Sequence, residues 1–202
     1  DAKTNVGGRS YPAVTGWPAN TGGQDLLTEY TYDDLGRLLR TLGPEHDAVA
    51  SGTTESAVRH ASWTVYKEDT TDKSTQVWQG SGYLSGSTYV LVGAVSISVV
   101  DVYGKKSNQR MALRTTAAYH ELTAGDAFAQ SGWLSWSTSI YDGDGQLEES
   151  RVYHAIPSAG EGSAGTNYEK TLYTYDGDTG RQIAMESPGG TIRRTTYDAR
   201  GR

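Results

Sequence analysis

The chain contains no cysteine, so disulfide staples and thiolate metal sites are excluded. Phenylalanine occurs once, methionine twice and proline five times. Long apolar runs are missing too. The most apolar stretch, YVLVGAVSISVV from Tyr89 to Val100, is too short to span a bilayer and carries serine at alternate positions near its end. Clustered cations are scarce: only Lys105-Lys106 and Arg193-Arg194 stand side by side, and the formal net charge is −6. That balance argues against a nucleic-acid partner, which calls for a basic footprint to displace counterions. The four histidines, His46, His60, His120 and His154, show no HxxxH spacing. There is no G-x-S-x-G elbow and no P-loop, and the EGSAG stretch at 161–165 is loop composition. Glu148 and Glu149 are neighbours on a predicted strand, so they face opposite sides and cannot flank one substrate. No catalysis, no cofactor and no membrane insertion are expected.

What is present is turn-forming and aromatic. The 202 residues include 25 glycines, 14 tyrosines and 5 tryptophans. Glycine is well above its usual share of about 7%. A chain of this length suits one large β domain or two small ones and can bury about 70% of its unfolded surface. Period-two alternation is the main signal. WLSWSTSIY, Trp133 to Tyr141, puts Leu134, Trp136, Thr138 and Ile140 on one face. Val95, Ile97 and Val99 share a face, as do Tyr30 with Tyr32 and Tyr173 with Tyr175. Composition marks loops at 20–23, 43–60, 80–87 and 158–167. The best short candidate for a helix is AVRHASW, Ala57 to Trp63. The strand pattern resumes after every loop, so 1–202 reads as a single segment. It starts without Met and ends inside a motif, and is expected to be a piece of a longer chain.

That motif recurs. YDDLGR contributes Tyr32, Asp33, Gly36 and Arg37, and VDVYGK contributes Asp101 and Gly104. YDGDGQ contributes Tyr141, Asp142 and Gly145. YDGDTGR contributes Tyr175, Asp176, Gly180 and Arg181, with one residue inserted, and YDARGR contributes Tyr197, Asp198, Gly201 and Arg202. A decayed copy stands at Tyr66, without the Asp or the Gly. The Asp side chain is expected to accept from backbone N–H groups two or three residues on. The Gly is expected to take the left-handed conformation that closes a hairpin with a bulge. Tyr32 with Leu38, and Tyr175 with Ile183, are placed for cross-strand packing. Arg37 and Arg181 are placed to reach a carboxylate or to stack on a tyrosine ring. Pro44 and Pro188 each stand eight residues after a motif glycine and are expected to end the outgoing strand.

Two other readings of these residues compete. DGDG at 142–145 and DGDTG at 176–180 lack the spaced oxygens, sixth-position Gly and twelfth-position Glu of an EF-hand loop, so turn formation outweighs metal binding. Trp17, Trp78, Trp133 and Trp136 are candidates for stacking on sugar faces. In a chain short of aliphatics, such rings more readily fill the sheet core.

The repeated Y-D-x-x-G-R, with the proline that follows, resembles the YD repeat of the Rhs family. The resemblance covers the turns across most of the chain and leaves the long inserts, above all 43–95, unmatched. It implies antiparallel β-hairpin repeats forming a continuous curved sheet, an all-β shell or solenoid. Family members build hollow shells that enclose a C-terminal cargo domain in bacterial toxins, or form part of an adhesion receptor on animal cells. Their self-cleaving segment rich in Asp, Pro and Gly has no counterpart here, so autoproteolysis is not carried over. The implied function is a scaffolding, encapsulating or adhesive segment of a secreted or cell-surface bacterial protein. Its implied partners are neighbouring repeats of the parent chain or copies of itself, meeting through sheet edges. The alternative is a carbohydrate-binding surface module with glycans as partners.

Overall fold

A computed structural model describes residues 3–5, 27–51, 54–71, 73–115 and 120–198. The fold is all-β. Its strands are β1 (Lys3–Asn5), β2 (Glu29–Tyr32), β3 (Leu38–Ser51), β4 (Thr54–Asp69), β5 (Ser74–Ser85) and β6 (Thr88–Asp101). After these come β7 (Lys106–Ala112), β8 (Trp133–Tyr141), β9 (Leu147–Tyr153), β10 (Tyr168–Tyr175), β11 (Gln182–Glu186) and β12 (Ile192–Arg194). The hydrogen-bonded order follows the chain order from β1 to β12. β1 runs parallel to β2, whereas β2–β3–β4 and the series from β7 to β12 pair antiparallel. Among the described residues the only helical turn is a 3-10 turn at Gln130–Gly132.

Two of the predicted loops and the predicted helix are strand instead. Residues 43–60 fall in β3 and β4 apart from the undescribed 52 and 53, and AVRHASW lies wholly in β4. Segment 80–87 closes β5, makes a tight turn and leaves its last residue short of β6. The physical reasons are local. Pro44 does not end β3 but sits in a bulge, where the pairing jumps from Leu42↔Ala61 to Glu45↔Arg59 and no ladder N–H is required of it. Arg59 Nε donates to the Gly43 carbonyl across this bulge at 2.7 Å, and its Nη1 reaches Glu29 at 2.9 Å. Gly80 and Gly82 mark close approach, not chain reversal. A Cβ on Gly82 would lie 1.9 Å from the Val90 carbonyl oxygen, and one on Gly80 would lie 2.7 Å from Leu91 Cδ1. Segment 158–167 is irregular, with one bridge from Ala164 to Tyr168.

The chain groups into two compact units. One comprises Asp1–Tyr66, Val77–Val95 and Arg114–Ala127. Its buried side chains include Leu42, Val58, Ala61, Trp63, Trp78, Val95 and Leu122. Leu122 comes from the excursion between β7 and β8 and lies over Gly80, which has no side chain to exclude it. The same excursion is anchored by Arg114, whose Nη1 lies 3.3 Å from the buried Asp126 carboxylate. Asp126 also accepts from the Thr123 N–H at 2.7 Å. A buried ion pair of this kind depends on such added hydrogen bonds to offset its desolvation.

The other unit comprises Lys67–Gln76, Ser96–Leu113 and Phe128–Arg202. Its centre is aromatic. Trp136 stacks on Tyr153 with ring centres 3.8 Å apart, Trp133 meets Trp136 edge-on at 5.0 Å, and Tyr153 meets Tyr168 at 5.0 Å. Trp136 Nε1 donates to Asn108 Oδ1 at 3.2 Å, and Thr138 Oγ1 donates to the same oxygen at 2.8 Å. The polar ends of Trp136 and Thr138 are thus satisfied, as burial demands. Leu134 departs from the predicted face and is 59% exposed. The register passes from Met111↔Ser135 to Ala112↔Trp133, leaving Leu134 as the extra residue of a bulge.

Candidate functional site

Three motif turns share one geometry. Asp33 Oδ1 accepts from the N–H groups of Leu35 at 3.0 Å and Arg37 at 2.8 Å. Asp101 does the same for Tyr103 and Lys105 at 3.0 and 2.9 Å, and Asp142 for Asp144 and Gln146 at 2.9 and 2.8 Å. The acceptor therefore serves positions two and four residues on. Four residues on is one further than the reading of two or three, because the glycine between turns the chain back towards the carboxylate. Gly36, Gly104, Gly145 and Gly180 have φ of 78, 67, 79 and 68°, a region that side-chain-bearing residues avoid. In the lengthened copy Asp176 Oδ1 instead takes the N–H and hydroxyl of Thr179, at 2.8 and 2.7 Å. Its Gly180 N–H closes on the Asp176 carbonyl four residues back, where Gly36 closes on Asp33 three back. The Thr179 hydroxyl and N–H hold the Asp176 carboxyl below the usual carboxylate range. Burial pushes the Asp33 carboxyl up, but the hydrogen bonds and charge from Arg37 outweigh it and the net shift is downward.

The same bulge follows three of these turns. Register slips between Thr31 and Tyr32, between Ile140 and Tyr141, and between Thr174 and Tyr175. Tyr32 faces Leu38, but Tyr175 faces Gln182 and not Ile183, which the slip leaves out of register. Of the remaining turn residues, Tyr197 and Asp198 lie after β12, whereas Gly201 and Arg202 fall outside the described residues, as does Trp17.

Motif residues also reach from one repeat into the next, a role that local sequence chemistry does not reveal. The Tyr175 hydroxyl donates to the Leu147 carbonyl at 3.0 Å, and the Tyr197 hydroxyl donates to the Gln182 carbonyl at 2.9 Å. Leu147 and Gln182 each stand two residues after a motif glycine, so the two bonds occupy equivalent places. The arginines follow suit. Arg181 lies 5.2 Å from the Tyr197 ring centre, and Arg37 lies 4.2 Å from that of Tyr66, the tyrosine of the decayed copy. Gln146, standing where the motif has arginine, sends Nε2 towards the Gly180 carbonyl at 3.4 Å. Arg37 Nε also bonds Asp33 Oδ2 at 2.7 Å, which fixes the guanidinium beside its own turn.

No known protein family matches the sequence, and no curated protein does.

The tryptophans have settled places. Trp78 and Trp136 are buried, and the Trp133 ring carries the Arg110 guanidinium 4.2 Å from its centre. Burial leaves Trp78 and Trp136 no free face for a sugar ring, and Arg110 takes one face of the half-buried Trp133. Among the described residues no three His, Asp or Glu side chains gather as a metal site, and no helix is long and apolar enough to cross a membrane. The 158–167 loop is fastened by Glu161, which pairs with Lys106 and, at 2.7 Å, with Arg151. Burial raises the Glu161 carboxyl, Lys106 and Arg151 outweigh that, and it rests below the usual range. Burial also lifts the Tyr153 hydroxyl above its ordinary value.

Proposed function

We propose that this chain is a scaffolding segment of a secreted or cell-surface YD-repeat protein, with no catalysis of its own. The observation that carries this reading is the pair of equivalent bonds, Tyr175 to Leu147 and Tyr197 to Gln182. The motif's most recognisable side chain is used between repeats and not at a reaction centre. Each hairpin on its own is marginal, whereas a row sharing backbone and side-chain bonds supports itself. In the bacterial setting implied by the resemblance, such a row serves to enclose, display or adhere. Neighbouring repeats of a longer chain, or copies of this one, are the partners that an open sheet edge accepts.

The test is protease accessibility on intact cells of the source organism, followed by immunodetection in medium, surface and cytosolic fractions. Surface digestion or release into the medium supports the reading. A protein found wholly in the cytosol, protected until lysis, sinks it.

A further inference from the structure

We propose that the aromatic unit carries a binding groove for a neutral saccharide of one or two rings, built from Ser74, Asn108 and Gln130 beside the Trp133–Trp136 pair. The groove has a volume of about 480 Å³ and lies wholly within that unit, between β5, β6, β7 and β8 and the 158–167 loop. That size is ordinary for a small-molecule site. The inference does not depend on the scaffolding role: the groove uses no motif tyrosine and no inter-repeat bond.

Three features select the ligand class. First, Ser74 lines the groove at 5% exposure, yet its hydroxyl finds no hydrogen-bond partner among the described residues. A buried polar group left in that condition is costly, and a ligand bearing both donors and acceptors relieves the cost. Second, the flanking amides are oriented by the protein itself. Asn108 spends its oxygen on Trp136 and Thr138, which leaves its amide nitrogen as a donor. Gln130 spends its nitrogen on the carbonyls of Pro157 and Gly160, at 2.9 and 2.7 Å, which leaves its oxygen as an acceptor. Third, the charges around the groove balance. Lys106 and Arg110 are matched by Asp101 and Glu161, Lys106 is tied to Glu161, and Arg110 lies over Trp133. A phosphate or carboxylate would meet two acids there, and an apolar ligand would strand the hydroxyl and both amides. A hydroxylated ring meets donors, acceptors and the edge of an indole. Trp136 is buried and Arg110 lies over a face of Trp133, so recognition here is chiefly by hydrogen bonds along the groove.

The experiment is titration of the 202-residue chain with glucose, galactose, mannose, N-acetylglucosamine, lactose and cellobiose, with sodium phosphate as the charged control, read by calorimetry and tryptophan fluorescence. Saturable binding of at least one sugar in the millimolar range or tighter is expected. Ser74→Ala removes only the unpartnered hydroxyl, so its melting temperature should equal or exceed that of the parent while sugar binding weakens roughly tenfold. The proposal is overturned by unsaturated titrations with every sugar, by phosphate binding in preference to sugars, or by a folded Ser74→Ala chain that binds as well as its parent.

Discussion

The long strands and the short strands hold together by different means. β3 to β6 run for 14, 16, 12 and 14 residues and supply most of the buried aliphatic side chains, among them Leu42, Val58, Val95, Ile97 and Val99. Within them the motif is worn away: Tyr66 has lost its Asp and Gly, and the turn after β4 is made by Asp69, whose Oδ1 accepts from Thr71 N–H at 3.0 Å. β9 to β12 run for 7, 8, 5 and 3 residues, and β12 is exposed throughout. There the motif is intact, and its tyrosines and arginines bridge successive hairpins. Where strands are long enough to bury a core, the turn sequence is free to drift. Where they are short, the motif supplies the cohesion that burial does not.

This contrast can be broken at its strongest points first. Trp136→Ala should destabilise by about 3–5 kcal/mol, because it empties the centre of the aromatic column and removes one of the two donors to Asn108 Oδ1. Leu122→Ala, its aliphatic counterpart over Gly80, should cost about 2–5 kcal/mol. Urea denaturation reads both, and a loss below 1 kcal/mol at either site, the ordinary cost of an exposed substitution, would mean that the side chain is not core. The motif contribution is smaller. Tyr175→Phe and Tyr197→Phe should each lose about 1 kcal/mol, whereas Tyr66→Phe, whose place in the row rests on its ring beneath Arg37, should be close to neutral. Equal losses at all three positions would erase the distinction between intact and worn repeats.

The weakest lever is pH. Glu161 has its folded pKa lowered, so the stability it contributes is fully present above the ordinary carboxylate value near 4.5 and is lost as pH falls through the lowered one. Acid titration of Glu161→Gln should show a shallower loss of stability below that value than the parent does. Parallel acid curves would mean that the 158–167 loop is not held by this carboxylate.

Turn chemistry was the most legible part of the sequence, because Asp and Gly act on atoms two to four residues away. The alternation of Val95, Ile97 and Val99 was legible for the same reason: a strand's period needs no knowledge of its partner. What was not legible depends on a second strand. Gly80 and Gly82 look like loop residues until Leu122 and the β6 backbone are seen pressing against them. Pro44 looks like a stop until the bulge opposite His60 removes the need for its N–H. Leu134 looks buried by parity until the β7 register skips it. The tyrosine hydroxyls were missed because their acceptors lie 28 and 15 residues away.

The strand order carries a consequence for how the chain is made. Each strand pairs with the one synthesised just before it. Loop closure is therefore paid in small steps, hairpin by hairpin. A chain of this kind can acquire structure in the order in which it emerges from a ribosome or a narrow pore, each finished edge serving as the template for the next arrival. From β2 onward the longest wait is the excursion between β7 and β8, where some twenty residues pass before pairing resumes. A pause in structure formation belongs there.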